Sequence, residues 1–144
     1  MNNLKLVGPD NKKLSTVCTK IAMEDMAKAV KFAKRMLSFL GNRIDGVGLS
    51  ANQVGRTDRT FVISIMGLKE MFINPIVTEL SKKKTKLKEG CLSYPGKVKA
   101  IKRPENLIIT YFNGKKMIKT PANGIIARII LHEMDHLEGT CKVK

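Results

Sequence analysis

The sequence predicts an α+β fold in a single domain spanning residues 1-144: antiparallel strands wrapped around a central buried helix, with an amphipathic helix nearer the N-terminus. Three observations predict it. Apolar residues recur at helical spacing between Glu24 and Leu40, short β-branched runs fill Thr60 to Thr120, and Pro121 to Leu137 is apolar almost all round. A chain of 144 residues suits one domain and is long enough to bury a core.

The first helix follows from Met26, Val30, Ala33, Leu37 and Leu40, which alternate steps of four and three and so share one face; Gly41 is the expected stop. The strand region reads TFVISI, MFINPIVTEL, NLIITYF and KMIKT. It is punctuated by Asn74-Pro75, Pro95-Gly96, Arg103-Pro104 and Asn113-Gly114, and Asn-Gly between two such runs is a strong hairpin signal. In the last segment Ile125, Ile126, Ile129, Ile130, Leu131 and Met134 leave little polar face, so this helix is expected to be central and buried.

Composition narrows the class. The chain is 43% hydrophobic and 27% charged, which fits a folded soluble domain and not a disordered one. No apolar run reaches the roughly 18 residues of a membrane span, and MNNLKLVGPDNKK lacks a secretory h-region, so the cytoplasm is expected. Cys18, Cys91 and Cys141 are too sparse for a disulfide scaffold and are expected as free thiols. The net charge of +15 attracts polyanions such as RNA. Its densest stretch, SKKKTKLKEG, has no aromatic for base stacking, so it reads as a solvated strand or loop face first and a ribosome-facing patch second. It does not read as a sequence-specific nucleic-acid reader.

The chemistry concentrates in ILHEMDHLEG. His132 and His136 lie one helical turn apart and can meet one ion; Glu133 sits beside that face and can reach a water on it without ligating. Asp135 reads either as an acceptor orienting a histidine or as a surface carboxylate. Two histidines do not hold a catalytic metal. The metzincin extension fails because its last position is Lys142, and only eight residues follow His136, so no later helix supplies a glutamate. The third ligand is therefore upstream, where Cys91 in EGCLSYPG is the leading candidate, or it is Cys141 just past the helix; Cys18 reads as core. In GVGLSANQVG, glycines alternating with apolar residues allow close backbone approach, and the amide of Gln53 is a candidate oxyanion donor.

Taken in order, GVGLSANQ, EGCLS and HEMDH resemble the three signature motifs of the peptide deformylases, and the likeness runs through nearly the whole chain. The resemblance implies that Cys91, His132 and His136 hold one divalent metal, with Fe2+ native and Zn2+, Ni2+ or Co2+ acceptable in purified protein. It implies attack by metal-bound hydroxide on the formyl group of N-formylmethionyl peptides, with Glu133 as general base, and Gln53 and the backbone N–H of Leu92 stabilising the oxyanion. It also implies that Val47, Leu87 and Ile129 line the methionine slot, with Ile125 one turn before Ile129. The backbone near Gly48 and Gly90 would pair with an extended substrate.

The chain departs from that pattern at Ser50 in place of alanine, Leu131 in place of glutamine, and Val98 where many bacterial members carry arginine; either Lys97 or Lys99 substitutes there, or that contact is absent. Ending at Lys144 without the usual long C-terminal helix resembles phage forms. The lysine-rich surface is then expected to take over part of ribosome docking. An endopeptidase is disfavoured because neither zincin third ligand can be placed. The alternative is a basic ribosome- or RNA-binding protein with a structural Cys-His-His zinc, in which Glu133 would be superfluous.

Overall fold

The computed structural model describes residues 3–144. Its first regular helix, α1 (Met26–Gly41), follows a short 3-10 turn at Met23–Asp25, so the helical pattern read from Glu24 begins as a tighter turn. The buried stripe of α1 is Ala29, Phe32, Ala33, Met36 and Leu40, while Met26, Val30 and Leu37 flank it, partly buried.

Seven strands follow: β1 (Gly48–Ser50), β2 (Thr60–Ile65), β3 (Leu68–Thr78), β4 (Lys84–Glu89), β5 (Lys99–Pro104), β6 (Asn106–Phe112) and β7 (Met117–Asn123). Five of them form an antiparallel sheet in the order β1-β2-β3-β6-β7, and β4 pairs with β5 in a separate hairpin. The final helix is α2 (Gly124–Leu137). It touches strands of both sheets, which gives the wrapped arrangement its sequence pattern predicts. No helix among the described residues is long and apolar enough to cross a membrane.

Alternation explains how one sheet serves two helices. Along β2, Phe61 and Ile63 join the cluster around α2 with Leu107, Ile109, Ala127 and Ile130, whereas Val62 points the other way to Ala33 and Met36 of α1. Phe61 stacks on Phe72 with ring centroids 4.6 Å apart. The Asn-Gly signal holds: Phe112 pairs with Met117, and Asn113 Oδ1 accepts from the backbone N–H of Lys115 and Lys116.

Three expectations are corrected. Pro121, read as the start of the last helix, lies in β7, because that strand is an edge and tolerates a residue with no N–H; the helix starts at Gly124. Asn74-Pro75 is no break between elements. It is a bulge within β3, where Asn74 takes φ 51° and its amide exchanges hydrogen bonds with the backbone of Ile21. Nor is α2 buried all round, since Ile125 is 47% exposed.

Candidate metal centre

One turn of α2 carries His132 and His136, with ring centroids 5.0 Å apart. The turn that follows β4 brings Cys91 to them, its Sγ 3.2 Å from His136 Nε2, and the backbone N–H of Tyr94 closes this turn on the Cys91 carbonyl. Cys141 comes in from beyond the helix end. Ligand atoms of Cys91, His132, His136 and Cys141 all lie within 4.8 Å of one another.

Behind His132 stands a buried ionic cluster. Glu89 Oε1 meets His132 Nδ1 at 2.9 Å and accepts from Arg103 Nη2, while Oε2 accepts from Arg103 Nε and from Arg128 Nη1. Arg103 Nη1 also donates to Asp135 at 2.9 Å. Holding Nδ1 of His132 leaves Nε2 for the site and fixes the ring. Burial alone would raise the Glu89 carboxyl; the hydrogen bonds from His132, Arg103 and Arg128 overcome it and hold the pKa at about 2. Burial likewise opposes charge on His132, but the Glu89 bond and the Glu133 charge raise its basicity above that of an ordinary imidazole.

The glycine-rich segment forms the other wall. Ser50, Asn52 and Gln53 are buried; Ser50 N–H and Oγ donate to Gln53 Oε1, and Asn52 Nδ2 donates to the His136 carbonyl at 2.6 Å. Gln53 Nε2 donates to Ser93 Oγ at 2.8 Å and lies 3.6 Å from Cys91 Sγ. The hydroxyl that Ser50 adds to this segment shares its one proton between Asn52 Oδ1 at 2.7 Å and Gln53 Oε1 at 3.0 Å.

Glu133 is buried beside β1, and its Oε1 has no hydrogen-bond partner. Burial raises its pKa, with the neighbouring histidines opposing. Gly48 permits the fit, since a Cβ there would stand 2.6 Å from Glu133 Oε2. A cavity of about 620 Å³ opens onto Cys91, His132, Glu133 and Gln53.

The donor set suits a divalent ion. A tetrahedral zinc site with bonds of about 2.1 to 2.3 Å has ligand-ligand edges of about 3.4 to 3.8 Å, so donors gathered within 4.8 Å need only small shifts. Hydrogen bonding to Cys141, reinforced by burial, raises the Cys91 pKa well above the ordinary thiol range; a divalent cation bound between the two sulfurs would favour their thiolate forms.

The structure brings together Cys91, His132, His136, Glu133, Gln53 and Leu92, with Val47, Gly48, Gly90 and Ile129 lining the same cavity. Ile125, Lys97 and Val98 line it too. It does not bring Leu87 there: that residue is half-exposed on β4, further from the centre than Glu89 on the same strand face, and Lys88 and Glu89 line the cavity instead. Asp135 orients neither histidine, because Glu89 takes His132 and Asp135 takes Arg103. Cys18 is core, as read. Sequence reasoning missed Glu89, Arg103, Arg128 and Ser93. Arg128 did leave a signal, a single charge inside GIIARIIL one turn before His132.

Known proteins resemble this chain in sequence and fold. The family model described as polypeptide deformylase matches residues 4–144. A peptide deformylase of Treponema pallidum is 45% identical over 96 residues, covering 65% of this chain and 59% of that relative, so the match spans under two thirds of its length. Among solved structures, the peptide deformylase from Thermotoga maritima superposes with a TM-score of 0.89 at 29% identity, covering 96% of this chain and 93% of that one. One from Synechococcus elongatus, in complex with actinonin, gives 0.89 at 30% identity, covering 98% and 77%. A probable peptide deformylase of Synechococcus phage S-SSM7 gives 0.88 at 29%, covering 96% and 97%. With the match running over nearly its full length, the chain belongs to the polypeptide deformylase family.

Proposed function

We propose that this chain removes the formyl group from N-formylmethionyl peptides, releasing formate and a free amino terminus. The observation that carries the reading is the buried Glu133 carboxylate, its Oε1 without a partner, beside Cys91, His132 and His136, with Cys91, His132 and Glu133 lining one cavity. Cys91, His132 and His136 would hold a divalent metal, which we assign as Fe2+ in the cell, with Zn2+, Ni2+ and Co2+ compatible with the same donors. When bound, the metal supplies Lewis acidity that brings a water's pKa near neutrality.

Glu133 takes a proton from the attacking water and passes it to the departing amine as the formyl C–N bond breaks and the new C–O bond forms. Gln53 Nε2 and the Leu92 N–H donate to the oxygen on which charge develops; Gln53 is already oriented for this by its bonds to Ser50 and Ser93. Gly48 and Gly90 offer backbone to an extended peptide, and Val47 and Ile129 form the apolar slot for methionine, with Ile125 at its rim. Actinonin, bound in the Synechococcus elongatus relative, would occupy this same cavity. Substrates of this kind emerge from ribosomes in the cytoplasm of a bacterium or a phage-infected host. The exposed lysines of β4 and β5 are our candidate for the ribosome-facing surface.

Mass spectrometry of formyl-Met-Ala-Ser after incubation with anaerobically metal-loaded protein tests this. Loss of the formyl group with intact peptide bonds is expected, and Glu133→Ala should slow it by about 10² to 10⁴. An internal cut, or no change with metal bound, overturns it.

A further inference from the structure

Cys141 is a second thiol at the centre, and the function proposed above has no use for it. Its Sγ lies within 4.8 Å of the ligand atoms of Cys91, His132 and His136. Its position is built by the chain and is no accident of a loose tail. Gly139 takes φ 73°, and a Cβ on it would stand 2.7 Å from the Ser15 carbonyl oxygen, so only glycine makes this close turn. The N–H and the hydroxyl of Thr140 both donate to the Asp135 carbonyl, at 2.9 and 3.0 Å, which folds the chain back along the end of α2. Val143, fully buried, pins the residues beyond.

The cavity distinguishes the two sulfurs. Cys91 and His132 line it; Cys141 and His136 do not. A ligand from Cys141 therefore approaches from the side away from the substrate.

We propose that Cys141 is a fourth protein ligand of the resting centre, completing a Cys2His2 set that draws the ion towards His136 and leaves no open position. The inference rests on the metal-site reading above. Four protein donors are the mark of a closed site, whereas a catalytic site keeps one position free. For this chain to act, Cys141 must leave the ion or the ion must accept a fifth ligand, so the second thiolate restrains turnover and retains metal. The soft S2N2 set also shifts preference towards zinc relative to a one-thiolate centre.

The test counts sulfurs. On zinc-loaded wild-type protein, kept reduced and anaerobic, X-ray absorption should find two sulfur neighbours at about 2.3 Å. With Co2+, the thiolate charge-transfer absorption of wild type should be about twice that of Cys141→Ser, as expected for two thiolates against one. The variant should also surrender its ion to a chelator faster. One sulfur neighbour in the wild-type protein overturns the proposal without any variant, as does an unchanged cobalt spectrum in a folded Cys141→Ser. Turnover of formyl-Met-Ala-Ser by the wild type reads the deformylase assignment separately. Two sulfurs without turnover would leave the ligand set standing and remove the activity.

Discussion

The five-stranded sheet has two very different sides. Towards α1 its centre is dry and apolar: Ala33, Met36, Leu40, Leu49, Val62 and Ile73 pack together, and Arg56 enters only over the Phe32 ring. On the α2 side the apolar cluster gives way, at the β4–β5 hairpin, to Glu89, Arg103, Arg128 and His132, all buried. A dry face is held by volume, and its errors are graded. A buried ionic cluster is held by complete pairing, and removing one partner leaves the others desolvated and unmatched.

The largest break should therefore come from Glu89. It accepts from His132, twice from Arg103, and from Arg128. Glu89→Gln keeps the size, removes the charge and turns an amide NH2 towards guanidinium donors. We expect about 3 to 5 kcal/mol of lost stability in urea unfolding, together with loss of bound metal as His132 is freed. A change below about 1 kcal/mol would mean that the arginines find water and that the cluster is not what holds the helix.

Next comes Leu40→Ala on the dry side, where a side chain 1% exposed leaves a cavity. About 3 kcal/mol is expected, with metal content and turnover per folded molecule unchanged. That separation is the point of the pair: similar instability, but only the polar side couples to the ion.

β1 borders both sides, since Leu49 packs towards α1 and Gly48 against Glu133. Gly48→Ala should displace the carboxylate that its Cβ would meet at 2.6 Å. A shift of about 1 Å in a reacting group costs roughly 10²-fold in rate. Turnover should fall by that order while the urea midpoint moves little; equal loss of both would place Gly48 with the packing residues instead.

The same contrast explains what could be read from the sequence. The helix α1 and the strand β6, where Leu107, Ile109 and Tyr111 alternate inward, are periodic, and period is visible in one chain; the buried stripe of α1 is nonetheless turned from the one read, towards Ala29, Phe32 and Met36 and away from Met26, Val30 and Leu37. His132 and His136 were visible because the helix sets their spacing, and Cys91 because the site lacked a ligand. The cluster behind them was not. Glu89, Arg103 and Arg128 come from three elements, so no local spacing links them; Glu89 and Arg103 alone resemble surface charges, and only Arg128, a single charge within GIIARIIL, points to burial. Leu87 falls outside the lining of the cavity for a related reason. Strand alternation gives the face a residue occupies, but not how far along the strand the cavity reaches.

The hairpin's outer face gives the smallest effect and the sharpest sign. Lys86 pairs directly with Lys102 across β4 and β5, and both are exposed. Like charges placed directly opposite destabilise a strand pair, so Lys86→Glu should stabilise the fold by about 0.2 to 1 kcal/mol at low salt, with the gain fading as salt rises. A sequence shaped only for stability would not keep that pair. If the face meets the ribosome's phosphates, the same substitution should weaken cosedimentation and flatten its dependence on salt, because fewer counterions are then released. Higher stability with unchanged cosedimentation would mean that the lysines serve solubility, and that docking lies elsewhere.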